Sequence, residues 1–401
     1  ALALPSWTVF VMTTNKSSSP LQVAGVLAAL LASQSLVASW PLPGNALMLL
    51  PSEGAVAGLG DGIRRGFSLA QEQSELCGAP KTQWSVGWIK PGSDPSSQLG
   101  TRRLPPLLLA PPAPPLVETG LLAQFEKRQV LLPLQRGASL QQLASRRGSD
   151  QLWPVTPARS LEIDALVKAM VQANLRSFLL ISDGSADQQL LADRFLETMR
   201  LQGGVLLGTD LQARRVNARD AEELKQLVSD AEWFSPAALV VMSPRNSELM
   251  LAVMAQAWPE QMRLVWNFAP KTTSKQVQIG VEEASRGPGW GSFEKDFKKR
   301  FGYKPGTVEA AGFDAGQLVA LSVLPAKITT LNGMAGFNPV LKPASICANV
   351  KIRKEGAAAK PLGAISNMDM KAATPPTAQL DVIQLEVNGV QLRKSFNLGA
   401  N

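Results

Sequence analysis

The sequence predicts an α/β protein of two lobes, each built on a parallel sheet. Three observations carry that prediction. Short apolar runs recur along the chain and end in proline or a small polar loop. Segments with apolar residues at three- and four-residue spacing follow them, and the series restarts after Trp153-Pro154. A strand buried on both faces reads as an unbroken apolar run, whereas a helix lying on a sheet shows the 3.6-residue stripe. Strand, loop and helix in repeated order imply right-handed crossovers, and there are too many units for one sheet.

In the first series, Ala46 to Leu50 is a strand ended by Pro51. The loop Ser52-Glu53-Gly54 leads to a helix with Val56, Leu59, Ile63, Phe67 and Ala70 on one face. Thr82 to Ile89 is a second strand. Leu107 to Leu109, inside the Pro-rich stretch 104–116, is a strand ending in a rigid loop, and 117–127 continues helix-like. Val130 to Leu132 is another short strand ended by proline, after which Gln135 to Ser139 opens a helix.

In the second series, Ser160 is placed to cap a helix carrying Leu161, Ala165, Val167, Met170 and Val171. Ser177 to Ser182 is a strand, followed by the loop 183–187 and a helix through Leu201. Val205 to Leu207, Ala238 to Met242 and Arg263 to Phe268 are further strands, with helices over 221–227 and from Ser243-Pro244 through Ala257. A helix from Ser292 to Phe301 leads into a second helical run and then a loop-rich tail. The tail closes on Asp381 to Val387, the turn Asn388-Gly389, and Val390 to Leu392, a hairpin signal.

Composition narrows the function. The 401 residues are 45% hydrophobic and 18% charged, which describes a globular chain long enough for two domains. There is no histidine. A Ser-His-Asp triad, a Cys-His pair and a His-bearing zinc site are therefore excluded, and nothing arranges a lysine or serine base instead. The expectation is a protein that is not an enzyme, with no cofactor and no metal. Cys77 and Cys347 fit neither a redox motif nor a metal-ligand spacing, and either form one disulfide or remain two buried thiols. The net charge of +8 comes from scattered pairs such as Arg64-Arg65, Arg146-Arg147 and Arg214-Arg215. Scattered pairs read as solvated faces, not as a nucleic-acid surface.

The amino terminus reads as an address. From Met12 there is a short polar region with Lys16, an apolar stretch from Leu21 to Ala32, and small residues at Val37-Ala38-Ser39. That is the layout of a secretory signal peptide, and the stretch is short of the roughly 20 residues of a membrane span. We expect a start at Met12 and cleavage near residue 39, with a retained membrane anchor as the alternative. Export to the periplasm follows, with the signal engaging the export machinery.

Four segments, in this order, resemble the type I periplasmic binding proteins of the branched-chain amino-acid or amide group that serves ABC importers. They are ALMLLPSEGAVAGLGDGIRRGFSLA (46–70), VLLPLQRGASLQQLA (130–144), FLLISDGSADQQLLADRFLETMRLQGG (178–204) and FEKDFKKRFGYKPGTVEAAGFDAGQLVA (293–320). The resemblance covers about 45–325, and the last segment is its most specific part. It implies two Rossmann-like lobes joined by a hinge, with 45–153 and about 275–330 in one lobe. The other lobe takes 154–274 and part of 331–401. It further implies a solute receptor that closes on a small polar ligand, such as an amino acid or amide, and docks on a membrane permease. In that family, first-lobe hydroxyls and backbone amides hold the ligand carboxylate, and a second-lobe tyrosine often contributes. Here Glu53 is inserted in the first loop, only Ser139 of Gly137-Ala138-Ser139 has a hydroxyl, and Ala186 stands where an aromatic is expected. Those departures leave open a second reading, an envelope interaction protein that kept the fold and lost the ligand, as in activators of peptidoglycan synthases.

The candidate ligand-binding residues are Ser52, Ala138, Ser139, Ser185, Ser243 and Asn267, all at or just after predicted strand ends. Each serine either meets a ligand or caps the next helix. Asp183 and Asp187 either hold an ammonium or cap a helix, and Trp153 either stacks on a ligand or packs near the hinge.

Overall fold

The computed structural model describes residues 44–54, 56–90, 104–110, 128–136, 149–208, 211–283, 285–324 and 333–398. The expected signal segment, the 117–127 run and the helix opening at Gln135 lie wholly or mostly outside them, as do Ala138 and Ser139.

Two sheets organise the chain. The first holds β1 (Ala46–Pro51), β2 (Trp84–Ile89), β3 (Leu107–Leu109), β4 (Gln129–Leu132) and β5 (Leu152–Pro154), all parallel, in the order β2-β1-β3-β4-β5. Helix α1 (Ala57–Leu76) follows β1. The second sheet starts after α2 (Arg159–Gln172) with β6 (Ser177–Ser182), α3 (Ala186–Leu201), β7 (Val205–Leu206), β8 (Arg214–Arg215) and α4 (Ala221–Phe234). It continues through β9 (Ala238–Met242), α5 (Glu248–Ala255), β10 (Arg263–Trp266) and β11 (Gln278–Val281). Helices α6 (Trp290–Phe301), α7 (Thr307–Ser322) and α8 (Ile346–Lys354) come next, then β12 (Ala378–Leu385) and β13 (Gln391–Leu398). The second order is β13-β12-β11-β10-β9-β6-β7, with β8 also paired to β6.

The second sheet is mixed. Strands β6 to β11 pair in parallel, but β12 runs antiparallel to β11, and β13 to β12. A tight Asn-Gly turn can only join antiparallel neighbours, so the terminal hairpin adds two strands of opposite sense.

Each central strand is apolar throughout because both of its faces are covered. On β6, Phe178 and Leu180 pack under α2 and α3 beside Phe195 and Met199. Their alternates Leu179 and Ile181 pack with Leu224, Leu227 and Trp266 on the opposite face. On β1, Met48 and Leu50 face Phe67 of α1 and Leu318 of α7, while Leu47 and Leu49 join Leu108 and Val130.

Helices α1 and α7 cross at backbone contact. A Cβ added to Gly66 would collide with the Glu309 carbonyl, and one at Gly312 with that of Ile63. A second pair, Gly62 and Gly316, meets Val308 and Phe67 in the same crossing. Small residues are required there because the axes approach too closely for any side chain. This crossing accounts for the small-residue pattern of 310–316. Beside it, Asp314 is buried and accepts the N–H groups of Ala364 and Ile365 at 2.7 and 3.0 Å. Burial pushes its carboxyl up to about 7, against the pull of those amides, that of Ser366 and the Gln317 side chain. Asp314 thereby pins the 363–366 segment to α7.

The chain passes between the two sheets three times, at 155–158, at 282–289 and between Met370 and β12. Backbone bonds tie these passages to one another and to the sheets. Gly287 donates to Ala364 O at 2.8 Å, Glu282 to Asp381 O at 2.7 Å, and Arg159 to Arg136 O at 3.0 Å.

Cys77, the C-cap of α1, is disulfide-bonded to Cys347 at the start of α8, with Cα atoms 4.9 Å apart. The alternative of two free thiols is therefore set aside. Helix α8 lies in the stretch that reads as loop-rich tail, because it buries little beyond Asn349, Val350 and Arg353 and so shows no apolar stripe. Strands β5, β8 and β11 have two to four residues, too few for a period-2 signal. Helix α2 starts at Arg159 after Ala158, which has no side-chain cap, so Ser160 lies inside the first turn and is not the cap.

Candidate functional site

In an open α/β sheet, ligands bind beyond the carboxyl ends of the strands, at the point where successive connections turn to opposite sides. Both sheets have such a point. In the first, β1 is followed by β2 on one side and β3 on the other, so the crevice opens at the ends of β1 and β3, beside Ser52. In the second, β6 is followed by β7 and β8 on one side and β9 on the other. Its crevice lies between the loop after β6 and the loop after β9. Four of the six candidate residues fall on these strand-end loops or beside them within the described residues.

Their bonding within the protein is as follows. Ser52 is exposed, and its hydroxyl donates to Ile89 O at 3.3 Å, while its amide uses the same carbonyl at 2.9 Å. Ser185 is also exposed, and donates its hydroxyl and amide to Asp183 Oδ1 at 2.7 and 3.0 Å, closing a tight turn. Asn267 is buried and fully engaged: its amide donates to Gln188 Oε1 at 2.7 Å, and its carbonyl accepts Ser243 N–H at 3.3 Å. It is a clamp between the ends of β9 and β10 and helix α3. Ser243 is wholly buried, and its hydroxyl has no partner among the described residues. Asp183 serves the turn, and Asp187 pairs with Arg159 at 2.9 Å instead of capping α3. Trp153 packs against the first-sheet core, and its indole N–H has no partner among the described residues.

A cavity of about 550 Å³ opens at the second crevice. Asp183 and Gly184 line it from the loop after β6, Arg215 to Ala218 from the end of β8, and Ser247 to Leu249 from the start of α5. The register sets Arg215 level with Ser182, the last residue of β6, so its side chain leaves the sheet at the crevice edge. The sequence reading placed Arg214-Arg215 on a solvated face, and Arg215 is exposed there. Arg214 departs from that reading: it is half-buried and pairs with Asp230 at 3.0 Å.

Arg136, just after β4, ties two of the three inter-sheet passages to the first sheet. Its guanidinium donates to Pro157 O at 3.1 Å and Glu283 O at 2.9 Å, and forms an ion pair with the buried Glu162 of α2. Burial raises the Glu162 carboxyl, opposed by Arg136 and Arg159. The pairs Arg136–Glu162, Arg159–Glu162 and Arg159–Asp187 thus form a charged chain from the first sheet to the second-sheet crevice. Among the described residues no helix is long and apolar enough to cross a membrane, and no group of three or more potential ligands is placed to hold a metal.

Comparison with known proteins gives the fold its class. No family model matches the chain. No curated protein matches it either. Solved structures do. A substrate-binding protein of an ABC transporter from Desulfitobacterium hafniense, in complex with Leu, matches with a TM-score of 0.59 at 12% identity, over 87% of this chain and 99% of that one. A branched-chain amino-acid periplasmic ligand-binding protein from Burkholderia xenovorans matches with 0.59 at 12% identity, over 88% and 95%. A solute-binding protein from R. palustris in complex with benzoate matches with 0.53 at 16% identity, over 88% and 95%. The chain has the type I periplasmic binding protein fold. These neighbours are solute-binding proteins of ABC transporters.

Proposed function

We propose that this chain is the exported solute-binding component of an ABC importer. Its two sheets form the cores of two lobes, which close around a small polar ligand and then dock on a membrane permease. The observation that carries this reading is the pair of strand-end crevices, one per sheet, in a fold shared along nearly its full length with substrate-binding proteins. The three inter-sheet passages provide the hinge such closure needs. The Cys77–Cys347 disulfide supports an oxidising compartment, consistent with export.

Thermal melting of the purified protein with leucine, isoleucine, benzoate, their amides and urea tests the reading. A ligand present at about 100 times its Kd stabilises by about 2.7 kcal/mol, a shift of a few degrees. At least one of these compounds is expected to raise Tm, and a flat response across the panel sinks the proposal. One observation favours the other reading, an interaction protein without ligand: Ser52, Ser185 and Asn267 spend their polar groups internally. A flat panel together with stable capture by an envelope partner would support it.

A further inference from the structure

We propose that the solvent face of α3 is a self-association surface, on which a second copy of this chain seats antiparallel about a two-fold axis. The face is a stripe down one side of the helix. Leu190, Asp193, Glu197 and Leu201 follow one another at three- and four-residue spacing, and all four are exposed. Leucine stands at both ends of the stripe, Leu190 at 42% and Leu201 at 78% exposure. The helix buries its other side, where Leu191, Phe195 and Met199 join the second-sheet core. A groove of about 620 Å³ opens beside Leu201, and Leu196 and Leu211 line it with that residue. Leu211 is 80% exposed. Two leucines so exposed on one groove make an apolar patch whose burial is favourable.

The charges on the same groove indicate what covers it. Asp193, Glu197 and Arg200 line it together with the leucines. Glu197 is paired with Arg194 at 3.4 Å. Asp193 accepts the Gln189 amide at 3.1 Å and has no cationic partner among the described residues. Arg200 donates to Leu211 O at 2.8 Å and has no acidic partner among them. Seven positions separate Asp193 from Arg200, about 10 Å along the axis, so the two cannot meet within one helix. Between two copies they can. An antiparallel pair of α3 helices with its two-fold axis level with Leu196 sets Asp193 within one residue of Arg200 of the second copy. The same register sets Leu190 within one residue of Leu201 of the second copy. Each match occurs twice, as a two-fold interface requires. A partner of one charge sign would satisfy either Asp193 or Arg200 and oppose the other, whereas a second copy satisfies both.

Sedimentation velocity of the full chain over about 1 to 200 µM tests this. One helix pair with flanking leucines is a small interface, so a reversible dimer of micromolar Kd is expected. Leu201→Glu should weaken it at least about 10-fold, because it brings a carboxylate into the apolar contact. Asp193→Arg and Arg200→Asp should each weaken it about 5- to 10-fold, and the variant carrying both should return to within about 2-fold of the wild type. These positions are exposed, so an unchanged Tm checks that each variant is folded. Rescue by the double reversal is the result that a contact elsewhere on the surface would not produce. A wild type that stays monomeric throughout overturns the proposal, and cross-linking from Leu201→Cys to a different envelope protein would then assign the face to that protein. A dimer that tolerates Leu201→Glu overturns it as well, as do single reversals that weaken the dimer without rescue in the double. None of these outcomes touches ligand binding, so the receptor reading stands or falls separately.

Discussion

Arg136 and Glu162 show how one residue pair can join the two sheets. Glu162 is 2% exposed at its side chain and Arg136 15%, so neither charge has much water to fall back on. A buried pair contributes little net stability compared with apolar residues, but removing one partner strands the other. Arg136→Met is therefore expected to cost about 3–5 kcal/mol, read as a lower midpoint in urea. The double variant Arg136→Met/Glu162→Gln should recover a large part of that loss. A single variant as stable as the wild type would show that the charge chain between the sheets has no energetic role. Asn267 teaches a second lesson at this scale. A polar residue at a strand end reads as a ligand group, yet its two bonds go to residues 24 and 79 positions away and hold the crevice in shape.

At the scale of elements, the crossing of α1 and α7 is set by its glycines. Gly66 and Gly312 meet backbone atoms of the opposite helix, which cannot rotate aside as a side chain would. Gly66→Ala is expected to destabilise by about 1–3 kcal/mol or more through overpacking. Gly58→Ala on the same helix is the control, since nothing lies within 4 Å of the added methyl. It should be neutral or stabilising by up to about 1 kcal/mol, because alanine is the better helix former. Equal effects of the two substitutions in thermal melts would mean that the close approach is not maintained in solution. The strand pattern was legible because burial on both faces produces an apolar run wherever it occurs. Strands β5 and β8, at three and two residues, escape that logic and are held by their neighbours.

At the scale of the whole molecule, the Cys77–Cys347 bond closes a span of 270 residues, joining α1 at the first strand unit to α8 near the end of the chain. Cross-links over long spans restrict the unfolded chain most, and such a bond is worth about 2–5 kcal/mol. Reduction with dithiothreitol, or Cys77→Ser/Cys347→Ser, should lower Tm by several degrees while leaving the far-ultraviolet spectrum unchanged. An unchanged Tm would show that the α1–α8 junction is held by packing alone. The chain therefore reaches its full strength only in an oxidising compartment.

The sequence by itself determined the alternation of strands and helices, the restart after Trp153-Pro154, the hairpin at Asn388-Gly389 and the exclusion of histidine chemistry. These are local properties: periodicity, turn residues and composition act over a few positions and need no partner from elsewhere. Only the tertiary structure decided the strand orders, the pairing of Cys77 with Cys347, and which polar side chains at the strand ends are already engaged. Strand order depends on connections of tens of residues, and a hydrogen-bond account can be closed only when every neighbour is known. For that reason Arg214 and Arg215, adjacent and identical in type, have side chains with different surroundings. One is paired with Asp230, and the other stands unpaired at the second-sheet crevice.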